Sequence, residues 1–225
     1  MLSKLRFSRG PLRWWIMVAG LLFGNVTLAG FGIGTVLIVL GAALHVGSKA
    51  ALWQNRQLST DGPYRFTRNP FYLANLLIDG GLLVVIGRWE IAMPAVAAWI
   101  WVYHRTIAAE EATLRSLFGE AFDAYCRRVP RFVPFPKRYL SRDEITGPRW
   151  TWSNPNLATG KEWTRACRVL MCPWLLLAAA MARQATDFES TALGLGLAMA
   201  MACVWLFAGT LASPRKRPHL GTESP

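Results

Sequence analysis

The chain is short of acids, histidine and cysteine: 225 residues hold 13 Asp and Glu, 3 His and 4 Cys. Each shortage excludes something. Cys126, Cys167, Cys172 and Cys203 show neither a CxxC nor a Cys/His spacing, so no metal site and no disulfide framework is expected. They read as free thiols buried in or beside apolar helices. A dinucleotide-binding loop is also missing. Gly30-Phe31-Gly32-Ile33-Gly34 has no strand before it and no acid about twenty positions later. Its outer glycines instead have the GxxxG spacing that lets two membrane helices approach closely. No internal repeat is evident.

Apolar residues are abundant: hydrophobic residues make up 53% of the chain and lie in runs. That pattern predicts an all-α, polytopic membrane bundle of about six apolar helices, with spans near 12–29, 31–48, 73–87, 91–108, 168–183 and 190–212. Several of these are shorter than the roughly 20 residues that cross a bilayer upright. Residues 1–13 resemble the start of a signal peptide, but no small-residue cleavage site follows, so 1–48 is read as a retained membrane hairpin.

The net charge of +12 is placed unevenly. With six spans, Arg88 and Arg183 are the basic residues of one side, and every other Lys and Arg falls on the opposite side. The positive-inside rule then puts both termini in the cytoplasm. A basic cytoplasmic face suits anionic membrane lipids, and nucleic acid is not expected as a partner.

Two stretches carry polar chemistry. The first is Asp61-Gly62-Pro63-Tyr64-Arg65-Phe66-Thr67-Arg68-Asn69-Pro70-Phe71-Tyr72. Gly62-Pro63 forces a turn, and Pro70 disfavours helix at Asn69, so irregular backbone is expected until Phe71. Irregular backbone at membrane depth needs protein or a wet cavity to satisfy it, so the stretch admits a ligand cavity, although the residues alone favour an ordinary basic loop with aromatic anchors. The second stretch begins at Glu110-Glu111 and runs through Leu114, Phe118-Gly119 and Tyr125 to Val129-Pro130. An amphipathic stripe of Leu114, Leu117, Phe118, Ala121 and Tyr125 predicts a helix over 111–128 lying on the membrane surface. If the preceding span continues as helix, Tyr103, Ile107, Glu110 and Leu114 share one face, and His104, Ala108, Glu111 and Arg115 the next.

The two stretches together, over roughly residues 45–136, resemble the isoprenylcysteine carboxyl methyltransferase and phospholipid methyltransferase superfamily. The resemblance implies a membrane-embedded enzyme using S-adenosylmethionine, with a cytoplasmic cofactor pocket. By the same resemblance, Gly62, Tyr64, Arg65, Arg68, Asn69, Pro70, Tyr72, Glu110 and Glu111 would bind the cofactor. Glu110, Glu111 and His104 are the candidate catalytic residues, and Asp79 is a further candidate base. Many members have His where this chain has Asn69, and an amide cannot exchange protons near neutral pH. Leu73-Ala74-Asn75 also stands where Gly is common in the family.

The expected organisation is a hairpin over 1–48, a methyltransferase core over 49–136, an interfacial linker over 137–165, a second hairpin over 166–212 and a disordered tail over 213–225. The expected function is methyl transfer to a lipophilic acceptor, either a phospholipid amine or an isoprenylcysteine-like carboxylate. The alternatives are a non-catalytic membrane protein that binds lipid or a partner, and a transporter. Two residues are left open. Asp79 either bounds a substrate channel or hydrogen-bonds a neighbouring helix. A lone histidine such as His45, near a span end, is more often interfacial than a ligand.

Overall fold

A computed structural model describes residues 9–53, 57–136, 138–145, 147–158 and 160–185, with isolated positions from 189 to 200. Among these residues the chain is helical throughout, apart from loops and one isolated bridge between Phe135 and Arg138. The helices are α1 (Arg9–Phe23), α2 (Leu28–Ala51), α3 (Pro70–Ile86), α4 (Trp89–Arg128), the short α5 (Pro155–Ala158) and α6 (Lys161–Gln184). Five of the expected spans coincide with α1, α2, α3, the first part of α4 and α6. The sixth, 190–212, lies for most of its length outside the described residues, as does the tail.

The first turn occupies Gly24–Thr27, toward the start of the uncharged Asn25–Gly34 connection expected there. The reason is local: Thr27 caps α2, its Oγ1 accepting from the Gly30 N–H at 3.1 Å, and the Asn25 N–H donates to the Ile86 carbonyl at 2.8 Å. This pins the hairpin to the end of α3. Arg88 donates to the Phe23 carbonyl at 3.0 Å, and Arg183 donates to the carbonyls of Leu21 and Gly24. The two isolated basic residues of the far side therefore satisfy the open carbonyls at the end of α1, where cations are favoured.

The GxxxG reading holds. A Cβ on Gly34 would lie 2.5 Å from the Gly81 carbonyl oxygen, and one on Gly81 would lie 2.6 Å from that of Gly34. Gly41 meets the Ala74 carbonyl in the same way, so α2 lies backbone-to-backbone along α3. Behind this seam Ile38, Leu82, Val85, Ile86 and Leu176 form the buried core, with α6 completing it.

The outer surface is apolar. Trp14, Trp15, Val36 and Val39 are exposed, and so are Trp89, Met93, Val96 and Ile100 along one stripe of α4. Among the described residues, two helices, α2 and α6, are long and apolar enough to cross a membrane, and Leu12–Phe23 and α3 are shorter apolar helices.

α4 differs from the expected pattern. No break separates span from surface helix near residue 110; the helix is continuous to Gly119, where φ 50° and ψ −125° interrupt it. That backbone region is open essentially only to glycine. The turn also changes which side chains face inward. Phe122 is 1% exposed and Tyr125 is buried, whereas Leu117 and Ala121 of the expected stripe are exposed. Cys167 is likewise exposed, whereas Cys172 is buried and Cys126 partly so.

Candidate functional site

The first motif is built by a short 3-10 turn, Gly62–Arg65, capped by Asp61. Asp61 accepts from the Gly62 N–H at 2.7 Å with one oxygen and from the Trp150 N–H at 2.8 Å with the other. Gly62 has φ +59°, and a Cβ there would meet the Trp150 ring at 2.5 Å. Trp150 in turn donates from Nε1 to the Gly47 carbonyl of α2 at 3.0 Å. The segment read as a surface linker is thus a strap that presses the motif loop against α2. Asn154, 1% exposed, extends the strap by donating to the Ala50 carbonyl at 3.1 Å.

The other side of the loop is held by the second motif. The Arg68 N–H donates to the Pro130 carbonyl at 3.0 Å, Leu140 N–H to the Arg65 carbonyl at 3.1 Å, and Tyr125 Oη to the Tyr64 carbonyl at 2.6 Å. Burial pushes both phenols, Tyr64 and Tyr125, above the ordinary tyrosine value; the Glu110 charge adds to the shift at Tyr64. Tyr125 therefore stays a donor.

At the centre lies Glu111. Arg68 Nη1 is 3.1 Å from its Oε1, and Arg131 Nε is 3.1 Å from its Oε2, as an ion pair without hydrogen-bond alignment. Asn69 donates from Nδ2 to Glu111 Oε1 at 3.4 Å and to the Arg131 carbonyl at 2.8 Å. Arg68 and Glu111 are mostly buried, with side chains 15% and 14% exposed. Arg68 Nη1 also approaches the Cys126 thiol, which burial nonetheless pushes above the usual value.

The two adjacent acids part company here. Glu111 follows Tyr103 and Ile107 onto the inward face of α4, whereas Glu110 is exposed. His104 lies exposed on α4 and is not drawn into the Glu111 cluster. Pro70 opens α3, and Tyr72, 2% exposed, meets Tyr103 edge-on at 5.1 Å. Tyr103 stacks on Trp99 at 4.2 Å, and Trp99 meets Phe132 at 5.7 Å. Aromatic rings, not close backbone contact, therefore join α3 to α4. Arg65 is used structurally, donating from Nε to the Leu140 carbonyl at 2.9 Å.

Two further polar groups sit deeper. Asp79, 4% exposed, accepts from Arg13 Nε at 2.6 Å, and Arg13 also donates to Asn75 Oδ1 at 3.0 Å. Asp79 thus does hydrogen-bond a neighbouring helix. Beside it a small cleft is lined by Arg13, Ala42, His45, Asn75, Ile78 and Arg165. At its edge His45 Nε2 is 3.0 Å from Glu162 Oε2, and Arg165 Nη1 is 2.9 Å from the same oxygen.

Sequence reasoning did not find Arg131, Trp150 or Glu162. Arg131 carried a faint signal, since it directly follows Val129-Pro130 and a buried acid needs cations. Trp150 and Glu162 carried none, because their partners lie about a hundred residues away in sequence.

Among the described residues the fold is helical, with two helices long and apolar enough to cross a membrane, and in its site an arginine- and aromatic-rich loop is clamped onto an acidic turn of a long helix. Residues 31–121 match the model of the phospholipid methyltransferase family. The match spans the first motif and the start of the second, from Glu110-Glu111 through Phe118-Gly119. Among curated relatives, the chain is 33% identical over 144 residues to the cobalt-zinc-cadmium resistance protein CzcN of Cupriavidus metallidurans, covering 60% of this chain and 64% of that one. It is 33% identical over 142 residues to the nickel-cobalt-cadmium resistance protein NccN of Alcaligenes xylosoxydans xylosoxydans, covering 61% of each. It is 30% identical over 123 residues to protein-S-isoprenylcysteine O-methyltransferase B of Arabidopsis thaliana, covering 54% of this chain and 61% of that one. The chain therefore spans less than two thirds of the length of these relatives. No solved structure matches it significantly.

Proposed function

We propose that the protein is an integral-membrane methyltransferase that moves a methyl group from S-adenosylmethionine to a lipophilic acceptor. The observation that carries this reading is the mostly buried Arg68–Glu111–Arg131–Asn69 cluster, which joins the two motifs; Arg68, Asn69 and Glu111 lie inside the segment matching the family and Arg131 just beyond it. The residues fit the cofactor. Arg68 Nε is buried without a hydrogen-bond partner, so it suits a carboxylate. Glu110 is an exposed acceptor close enough to Tyr64 to act on it electrically, and it suits the ammonium or ribose hydroxyls. The Tyr64 and Phe71 rings, 6.4 Å apart, offer faces to a sulfonium, an attraction of about 1 kcal/mol or more when water is excluded. When bound, the cofactor supplies the electrophilic methyl group. The protein's part is to align the acceptor and keep water out.

Glu111, by contrast, has both oxygens committed, so its role is to position Arg68 and Asn69 rather than to take a proton. His104, exposed outside the cluster, loses ground as a catalytic residue for the same geometric reason. The exposed apolar girdle supports an acceptor that enters from the bilayer, with both termini on the cytoplasmic side.

The test is transfer of labelled methyl from S-adenosylmethionine to a membrane-lipid extract by the purified protein. Label in a lipid fraction that Arg68→Ala abolishes is the expected result. No label in any fraction from folded, lipid-replete protein would contradict the proposal. The names of two relatives speak of metal resistance. Among the described residues, no group of three or more His, Cys, Asp and Glu gathers to hold a metal ion. A methylated membrane component is the form in which this chain would serve such a role.

A further inference from the structure

His45 and Glu162 form a dyad that the methyltransferase reading leaves unused. His45 Nε2 sits 3.0 Å from Glu162 Oε2. Two groups meet Nε2: the Glu162 carboxylate, which only accepts, and Arg165 Nη1 at 3.3 Å, which only donates. Arg165 Nη1 already donates to Glu162 at the shorter distance of 2.9 Å, so the Glu162 contact puts the proton of a neutral ring on Nε2 and leaves the lone pair on Nδ1. Nδ1 is buried and has no hydrogen-bond partner. A buried acceptor with no donor is a group awaiting one.

The surroundings suit a nitrogen donor of small size. The cleft that His45 lines has room for about one water-sized group. The charged and titratable groups facing it come from four helices: Arg13 of α1, Lys49 of α2, Asp79 of α3, and Glu162 and Arg165 of α6. Both carboxylates are already paired, Asp79 with Arg13 and Glu162 with His45, Lys49 and Arg165. The excess is cationic, which favours the uncharged form of an amine placed there. Arg165, 55% exposed, stands at the rim, where it can meet an anionic group on the same ligand. The cleft also borders the motif site. Phe71 stands between His45 and the motif loop, its ring 5.0 Å from that of His45 and 6.4 Å from that of Tyr64.

We propose that His45 is the general base of the reaction, taking through Nδ1 the proton of an amine-bearing lipid acceptor, with Glu162 as its positioning residue. This rests on the methyltransferase reading and commits it to an amine. A primary ammonium gives one proton to Nδ1, and the freed nitrogen lone pair then forms the N–CH3 bond. The methyl–sulfur bond breaks with its electron pair remaining on sulfur, which becomes a neutral thioether. The product is a secondary ammonium, and the imidazolium returns its proton to solvent. His45 thereby supplies the proton acceptor that Asn69 cannot.

Two measurements test this. Nitrogen-15 NMR of histidine-labelled full-length protein in detergent, assigned with His104→Gln and His219→Gln, reads the His45 tautomer directly. A neutral Nε2–H ring at neutral pH is expected; an Nδ1–H or doubly protonated ring overturns the proposal, and this readout needs no variant at His45 to fold. The second offers labelled S-adenosylmethionine with phosphatidylethanolamine vesicles as the amine probe and N-acetyl-farnesylcysteine as the carboxylate probe. The expected result is transfer to the amine that His45→Gln slows by about 100-fold or more, with loss of the acid limb of the pH profile and unchanged S-adenosylhomocysteine binding. Glu162→Gln should give a partial loss. Transfer to the carboxylate alone, or wild-type transfer to the amine by His45→Gln, overturns the base while leaving the methyltransferase reading standing. No S-adenosylhomocysteine binding and no transfer to either probe overturns both.

Discussion

At the scale of single residues, the acid pair divides its labour. Glu111 is tied to Arg68, Arg131 and Asn69, so removing its charge leaves two cations mostly out of water with nothing to balance them. Breaking such a pair costs about 3 kcal/mol when fully buried, and less here because Arg131 is partly exposed. Glu111→Gln should therefore lower the melting temperature, whereas Glu110→Gln, at an exposed position, should leave it nearly unchanged while weakening S-adenosylhomocysteine binding. Calorimetry and thermal unfolding of the two variants side by side check this. Equal melting temperatures would contradict the division.

Tyr125 offers a second residue-scale prediction. Its hydroxyl is the buried donor to the Tyr64 carbonyl at 2.6 Å, so Tyr125→Phe should cost about 1–3 kcal/mol. Both tyrosines titrate above their ordinary value in the folded protein because of burial. A raised folded value stabilises the protein below the unfolded value and ceases to do so as pH climbs. Stability should thus hold up to about pH 10 and fall beyond it, with the fall shallower in Tyr125→Phe. Unfolding midpoints measured against pH would show it.

At the scale of elements, glycine decides two geometries. The α2–α3 seam depends on Gly34 and Gly81 lying against each other's carbonyls, so Gly81→Leu should separate the helices and cost several kcal/mol, on the order of an overpacked core or more. Gly119 breaks α4 with a backbone that other residues avoid, and Gly119→Ala should cost about 1–3 kcal/mol although no side chain obstructs the new methyl. Activity in Gly119→Ala should fall further than stability alone implies, because a straightened α4 would turn Tyr125 and Val129 away from the motif loop. Comparing methyl transfer with melting temperature separates the two effects.

Much of the fold was legible at this scale. Apolar runs located five helices, the GxxxG pattern located their closest seam, and Pro70 marked the start of α3. The differences have physical causes. The first turn sits toward the start of its expected stretch because Thr27 caps α2 and Asn25 bonds α3, contacts a hydropathy pattern does not encode. The phase of α4 shifted because a single glycine conformation reset it. Of the site, the residues with motif neighbours were found and those supplied from afar were not. Trp150 reaches back to Asp61 and Gly47, and Glu162 reaches back to His45.

At the scale of the whole molecule, the C-terminal part ceases to be an appendage. α6 brings Glu162 and Arg165 to the cleft on α2 and α3, and the strap before it clamps the first motif from outside. Truncation after Pro136 would therefore remove both supports, and the shortened chain should lose cofactor binding even though it keeps both motifs. A truncated chain that bound as well as the full one would contradict this arrangement.

The central claim is that the loop and the acidic turn together make a cofactor site. Calorimetric titration of S-adenosylhomocysteine into the detergent-purified full chain tests it most directly, with Glu110→Gln and Arg68→Ala as controls. One-site binding by the wild type, weakened in both variants while their folds persist, is the expected result. Absence of binding by folded, lipid-replete wild-type protein, or binding that neither variant alters, would contradict it.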